Sequence, residues 1–220
     1  MKIIRVMCTG RVDASFILRA LSNNMDGVFI GGCWLGECHY ITEGNHSAVA
    51  TMHLTKKLLR EIGISPDRLR LESVGASEGT RYAEVVTDFI RQIRELGPLG
   101  TEQANGDPGL LKLKLKAATS IVPYLRLVLT ERLRVRFKTR EEYDEFFATE
   151  DVERLFKDLI AEKLVMQEIL LLLRERPLST GEVADILGLG PSEVSKYLTL
   201  SAKQELTRFD EREKRFALAR

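Results

Sequence analysis

Cysteine and tryptophan are the scarce residues of this 220-residue chain, with three of the first and one of the second. A small, odd number of cysteines excludes a disulfide-stapled secreted scaffold and points to a reducing, cytoplasmic setting. A surplus of either charge is missing too, since 33 Lys and Arg face 32 Asp and Glu. A protein that grips nucleic acid by neutralising many phosphates carries a larger basic excess, so nucleic acid is the less favoured partner. No apolar run reaches about 18 residues, which leaves no expected membrane span. The opening Met1-Lys2-Ile3-Ile4-Arg5-Val6 is interrupted by charge too early for a secretory signal. A Walker loop and a Gly-x-Gly-x-x-Gly after a strand are both absent, so a nucleotide site has no support.

What is present is clustering. All three cysteines fall within the first 38 residues. Charge is segregated further on: Leu111 to Arg140 holds nine Lys and Arg against one acid, and Glu141 to Glu162 holds nine acids against two bases. Such blocks face each other, lie on solvated helix faces, or form a docking surface.

The first hundred residues alternate strand and helix signals. Ile3–Met7, Gly27–Ile30 and Leu69–Val74 are short, strand-like apolar runs. Val12, Phe16, Ile17, Ala20 and Leu21 recur at the helical period, as do Val49, Met52, Leu58, Leu59 and Ile62 before the stop at Gly63. Another helix is expected from Glu78 to Leu96. Buried strands separated by helices predict an α/β domain with a parallel, flavodoxin-like sheet over residues 1–97. In such sheets, sites form at the carboxyl ends of strands, where Cys8 and Cys33 would both emerge.

Residues 98–110 are rich in turn formers and open a linker and charged helical region, 98–162, expected to be all-α. Residues 163–220 read as a winged helix-turn-helix. An apolar helix ends near Arg176-Pro177, and Ser179 and Glu182 are spaced as a capping box. Gly188-Leu189-Gly190 makes the turn, Pro191 starts the next helix, and Arg208–Leu218 makes the wing.

The densest chemistry lies in Gly31-Gly32-Cys33-Trp34-Leu35-Gly36-Glu37-Cys38-His39-Tyr40. A Cys-x4-Cys pair on a glycine-rich loop, with backbone amides free to approach, matches the spacing of iron–sulfur ligation, and Cys8 adds a third. Ordinary buried cysteines are the alternative. Zinc on Cys33, Cys38 and His39 is disfavoured because adjacent residues rarely share one tetrahedral ion. A Cys38–His39 nucleophilic pair lacks an orienting third group.

Several stretches resemble the delta-subunit family of methyl-viologen-reducing hydrogenase. They are Ile3 to Asp13, Asp26 to Cys33, Gly36 to Tyr40, Leu58 to Ile64, Arg68 to Leu71 and Ala76 to Gly79. The resemblance implies a [2Fe-2S] cluster with Cys8, Cys33 and Cys38 as ligands. It puts Arg11, Asp13, His39 and Tyr40 around them. It also implies a role without substrate chemistry. Electrons would pass between a hydrogenase, formate dehydrogenase or similar module and the flavin-bearing subunit of a heterodisulfide reductase-type, electron-bifurcating complex.

Family members usually carry a further strand and a Cys-x2-Cys pair ahead of the Ile-Arg-Val strand. Three thiolates leave a four-cysteine site one short. A partner's residue, His39, a start upstream of Met1 or a degenerate site would each account for this. For the winged helix, protein docking is the favoured expectation. The alternative is a redox-sensing DNA-binding regulator reading through Ser192, Ser195, Lys196 and Tyr197, with Glu193 opposing.

Overall fold

The computed structural model describes residues 1–41, 43–101 and 107–219. The centre of the expected linker, residues 102–106, lies outside them. The fold is mixed α/β, with a small parallel sheet near the N-terminus, a helical middle and a winged helix-turn-helix.

Helix α1 (Ala14–Ser22) starts after Val12 because Asp13 caps it, its carboxylate accepting from the Ser15 N–H. Ala14, Ile17, Leu18 and Leu21 form its buried face. Strand β1 (Val28–Gly32) pairs in parallel with β2 (Leu69–Ser73), in a register that sets Val28 beside Leu69 and Gly32 beside Ser73. Between them runs α2 (Gly44–Glu61), and all five of its expected inner residues, Val49, Met52, Leu58, Leu59 and the flanking Ile62, are buried. Gly63 ends it at φ 78°, the left-handed region that glycine enters without a Cβ clash. Helix α3 (Gly79–Leu96) covers the sheet with Val86 and Phe89. The fully buried Arg68 ties these parts together by donating to the carbonyls of Asp26, Leu96 and Pro98.

One expected strand is not formed. Ile3–Met7 is irregular, and Ile3, Ile4 and Met7 are largely solvent-exposed. A strand needs a neighbour for its N–H and C=O groups, and the described sheet holds β1 and β2 alone. Apolar composition without a ladder does not make a strand. Cys8 therefore does not end one; it precedes a short 3-10 turn, Thr9–Arg11.

The middle of the chain forms α4 (Pro108–Ser120), α5 (Val122–Arg132), α6 (Arg140–Phe147) and α7 (Glu150–Phe156). Leu115, Leu125, Val128, Tyr143, Phe147 and Phe156 from these helices join α1, α2 and the sheet in one continuous apolar core. The charge blocks do not simply face one another, because their ion pairs reach outward. Arg126 meets Asp13, Arg134 meets Glu43, Lys57 meets Glu153 and Lys196 meets Glu162.

A π-helical turn, Lys157–Ala161, leads into α8 (Glu162–Glu175), followed by α9 (Thr180–Leu187), α10 (Pro191–Lys203) and the hairpin β3 (Thr207–Asp210)–β4 (Arg215–Leu218). Ile169, Leu173, Val183, Val194 and Leu198 make a second core. Both halves of the Ser179–Glu182 capping box are in place, and Gly188 caps α9 in the left-handed conformation. Helix α4 serves both cores, giving Leu115 to the first and Leu110 and Leu113 to the second.

Candidate functional site

The three cysteines converge at the mouth of the sheet. Cys33 directly follows β1, and Cys38 follows a turn closed by the Glu37 N–H on the Trp34 carbonyl. Cys8 is extended at the N-cap of the 3-10 turn, where its sulfur accepts from the Gly10 N–H at 3.4 Å. All three are free and partly buried. The Cys38 sulfur lies over Gly44, and the Cys8 turn packs on the same glycine through Gly10.

Two glycines make this approach possible. A Cβ on Gly44, at φ 26°, would run into the Cys38 sulfur, and one on Gly10 would run into the Gly44 carbonyl. The Cys8 turn and the start of α2 can touch only without side chains there.

The sulfurs are not equivalent. Burial pushes the Cys33 thiol above its ordinary value, and the neighbouring Cys38 and Cys8 add to the rise. Burial pulls the same way on Cys38. There it is outweighed by hydrogen bonds from the backbone N–H groups of Asn45 and Tyr40 and from the other two thiols, so Cys38 is lowered. Cys38 therefore becomes a thiolate before Cys33 does.

The loop between Cys33 and Cys38 is pinned from both sides. Trp34 donates its indole N–H to Glu78 at 2.8 Å, Glu78 also accepts from the Gly75 N–H at 2.5 Å, and Arg81 lies 4.9 Å above the indole ring. Asn45, 4% exposed, donates through Nδ2 to the Trp34 carbonyl at 2.6 Å, the Cys33 carbonyl at 3.2 Å and the Cys33 sulfur at 3.5 Å.

Of the outer residues expected here, Asp13 is built in. Its carboxylate caps α1 and binds Arg126 at 2.5 Å. Burial raises its carboxyl, but the bonds from Arg126 and Ser15 prevail and hold it below the usual range. Arg11, His39 and Tyr40 are exposed, and the His39 ring meets the Tyr40 ring edge-on rather than a sulfur. His46 and His53 turn toward α6 instead, His46 bonding Tyr143 at 2.8 Å and His53 stacking on Phe147. Sequence reasoning missed Asn45, Gly44 and Glu78. The only signal for the first two is a Gly-Asn pair at the start of a helix.

No group of three or more His, Cys, Asp or Glu among the described residues is disposed around a single metal ion. A separate groove of about 600 Å3 lies between α2, β2 and α6, lined by charges of both signs including Lys56, Arg70, Arg140, Asp67 and Asp144.

Residues 1–97 match the family profile of the methyl-viologen-reducing hydrogenase delta subunit. The same part is 52% identical over 102 residues to an iron-sulfur subunit of the F420-non-reducing hydrogenase of Archaeoglobus profundus, covering 46% of this chain and 74% of that protein. The chain belongs to the methyl-viologen-reducing hydrogenase delta-subunit family. Another similar delta-subunit relative, an iron-sulfur subunit of the vhc F420-non-reducing hydrogenase of Methanococcus voltae, is 40% identical over 105 residues, 48% of this chain and 72% of that protein. A subunit of the ferredoxin:CoB-CoM heterodisulfide reductase of Methanosarcina mazei is 42% identical over 101 residues, 46% of this chain but only 13% of that larger protein. Beyond the delta-subunit part, residues 165–199 match the profile of bacterial regulatory proteins of the arsR family, on the helices of the winged unit.

Proposed function

We propose that this chain is an electron-transfer subunit whose residues 1–97 hold a [2Fe-2S] cluster on Cys8, Cys33 and Cys38. The observation that carries this reading is the gathering of three free thiols at one loop, with the Gly10 N–H on the Cys8 sulfur and the Asn45 side-chain amide on the Cys33 sulfur. Thiols presented by one loop and the turn that faces it suit ligation of an iron–sulfur cluster, and amide donors suit sulfur that gains electron density. The delta-subunit relatives named iron-sulfur subunits add support. When bound, such a cluster accepts and releases one electron at a time without making or breaking substrate bonds.

The chain's own residues then have defined tasks. The three cysteines supply thiolates, Gly10 and Gly44 let them come close, and the clamps on Trp34 keep the loop from opening. The fourth position falls to a residue outside this triad. We assign the donor and acceptor as a hydrogenase- or dehydrogenase-type module and a flavin-bearing heterodisulfide reductase-like subunit in a bifurcating cytoplasmic complex. Residues 98–162 connect this part to the winged unit, 163–220, which docks the larger assembly. Anaerobic purification with the native partners, followed by iron, sulfide and flavin analysis, tests this. About two irons per chain eluting together with flavin is expected; a chain that elutes alone and iron-free sinks the proposal.

A second reading, a redox-responsive DNA-binding regulator, is favoured by the arsR-family match. Against it, Lys196 is held by Glu162, and Glu193, Asp210, Glu211 and Glu213 are exposed around the helix and wing that would face DNA. A sequence-selective complex that weakens steeply with salt would favour this reading over docking.

A further inference from the structure

We propose that Asn45 is a positioning residue for the cluster site, its side-chain amide fixing the Cys33 sulfur and donating to it. This rests on the function proposed above.

The orientation of the amide is settled by its neighbours. Nδ2 lies 2.6 Å from the Trp34 carbonyl and 3.2 Å from that of Cys33, and both of these oxygens only accept. Turning the amide would set oxygen against oxygen, so the NH2 faces the loop. One proton goes to Trp34, and the other lies between the Cys33 carbonyl and the Cys33 sulfur at 3.5 Å. One residue, at the N-terminal turn of α2, thus holds both loop carbonyls and the Cys33 sulfur.

The opposite side of the amide is unsatisfied. Asn45 Oδ1 is buried without a hydrogen-bond partner, as is Thr9 Oγ1, and both residues line the same void of about 10 Å3 beside Cys33. An unmet buried acceptor is costly. An apolar side chain of similar size would avoid that cost and still fill the space. Retaining an amide here makes sense for its donor side, because N–H groups on ligand sulfur stabilise the reduced, more negative state of a cluster.

Two measurements on the full chain, purified anaerobically with its native partners and then reduced, test this. In the first, asparagine labelled with 15N in the side-chain amide alone is incorporated and the cluster is probed by pulsed EPR. A 15N coupling on the cluster signal is expected, and it disappears in Asn45→Asp. An intact cluster signal without that coupling overturns the proposal, whereas no cluster signal at all overturns the function on which it rests. In the second, Asn45→Asp and Asn45→Ser are titrated against potential. At a fixed potential, Asn45→Asp is expected to lower the ratio of reduced to oxidised cluster at least tenfold, about 59 mV for a one-electron couple, and Asn45→Ser lowers it less. Full cluster content with an unchanged potential in both variants means a loop clamp only and overturns the donor role. The labelled wild-type measurement gives its answer whether or not the variants fold.

Discussion

Replacing Glu168 by Gln exposes a pH dependence that is hidden in the wild type. Glu168, on α8, is 5% exposed, and its carboxyl is pushed up to about 7, mostly by burial, with Lys114 opposing and Glu61 adding to the rise. His53, on α2, is pushed down to about 4 by burial and then by Arg140, Lys56 and Lys57. Between about pH 4.5 and 7 the folded state keeps a proton on Glu168 that the unfolded chain has released, so this group makes stability fall as pH rises. Between about pH 4 and 6.5 the unfolded chain protonates His53 while the folded state does not, so this group makes stability rise with pH. Each effect has a slope of about 1.4 kcal/mol per pH unit and a full size of about 3 kcal/mol. From about pH 4.5 to 6.5 they cancel. In Glu168→Gln the His53 effect is no longer opposed, and it alone makes stability climb by about 3 kcal/mol over that interval, with His46, lowered by burial and Arg136, pulling the same way in both proteins. At about pH 8 the variant is more stable than the wild type by about 3 kcal/mol, while at about pH 4.5 the two are nearly equal. Urea unfolding of both iron-free chains, followed by circular dichroism across this pH range, measures this directly. A variant whose profile overlays the wild type would refute the assignment of a buried, protonated carboxyl to Glu168.

Further outcomes follow from the same geometry. In the iron-free chain at neutral pH, iodoacetamide is expected to label Cys38 before Cys33, because amide N–H groups lower the first thiol and burial raises the second; mass spectrometry of partly labelled protein reads the order, and Cys33 first would contradict it. Trp34, the sole tryptophan, adjoins Cys33, so loading iron and sulfide is expected to quench its fluorescence, and equal emission with and without iron would place the iron elsewhere. Ser179→Ala removes one half of the α9 capping box and is expected to cost about 1 kcal/mol of stability by denaturant unfolding. The companion change Leu198→Ala empties a fully buried position in the second core and is expected to cost about 3 kcal/mol; equal losses in the two variants would contradict the packing described.

The helices and the winged unit were legible because their signals are local. The period of Val49, Met52, Leu58 and Leu59 is a property of one segment, as is the spacing of Ser179, Glu182, Gly188 and Pro191. The strand expected at Ile3–Met7 failed for the opposite reason: strand formation depends on a neighbour, and β-branched composition cannot report whether one is there. The site divides in the same way. Cys8, Cys33 and Cys38 stand out by residue type and by their crowding. Asn45 does not, because an asparagine at a helix start looks like a cap, and its importance comes from the earlier Cys33–Trp34 loop that folds onto it. Gly10 and Gly44 touch although they lie far apart along the chain, which no spacing rule reveals. The exposed side chains of Arg11, His39 and Tyr40 have conspicuous chemistry in sequence, but each is near a cysteine along the chain and turned to solvent.

In the proposed function, Cys8, Cys33 and Cys38 hold a cluster through which electrons pass. The most direct test is a potentiometric titration of the anaerobically purified complex, monitored by EPR. A reversible one-electron signal of about one spin per chain is expected, greatly diminished in Cys38→Ser. A complex in which iron and sulfide are absent and all three cysteines are alkylated at once, with the chain otherwise folded, would contradict it.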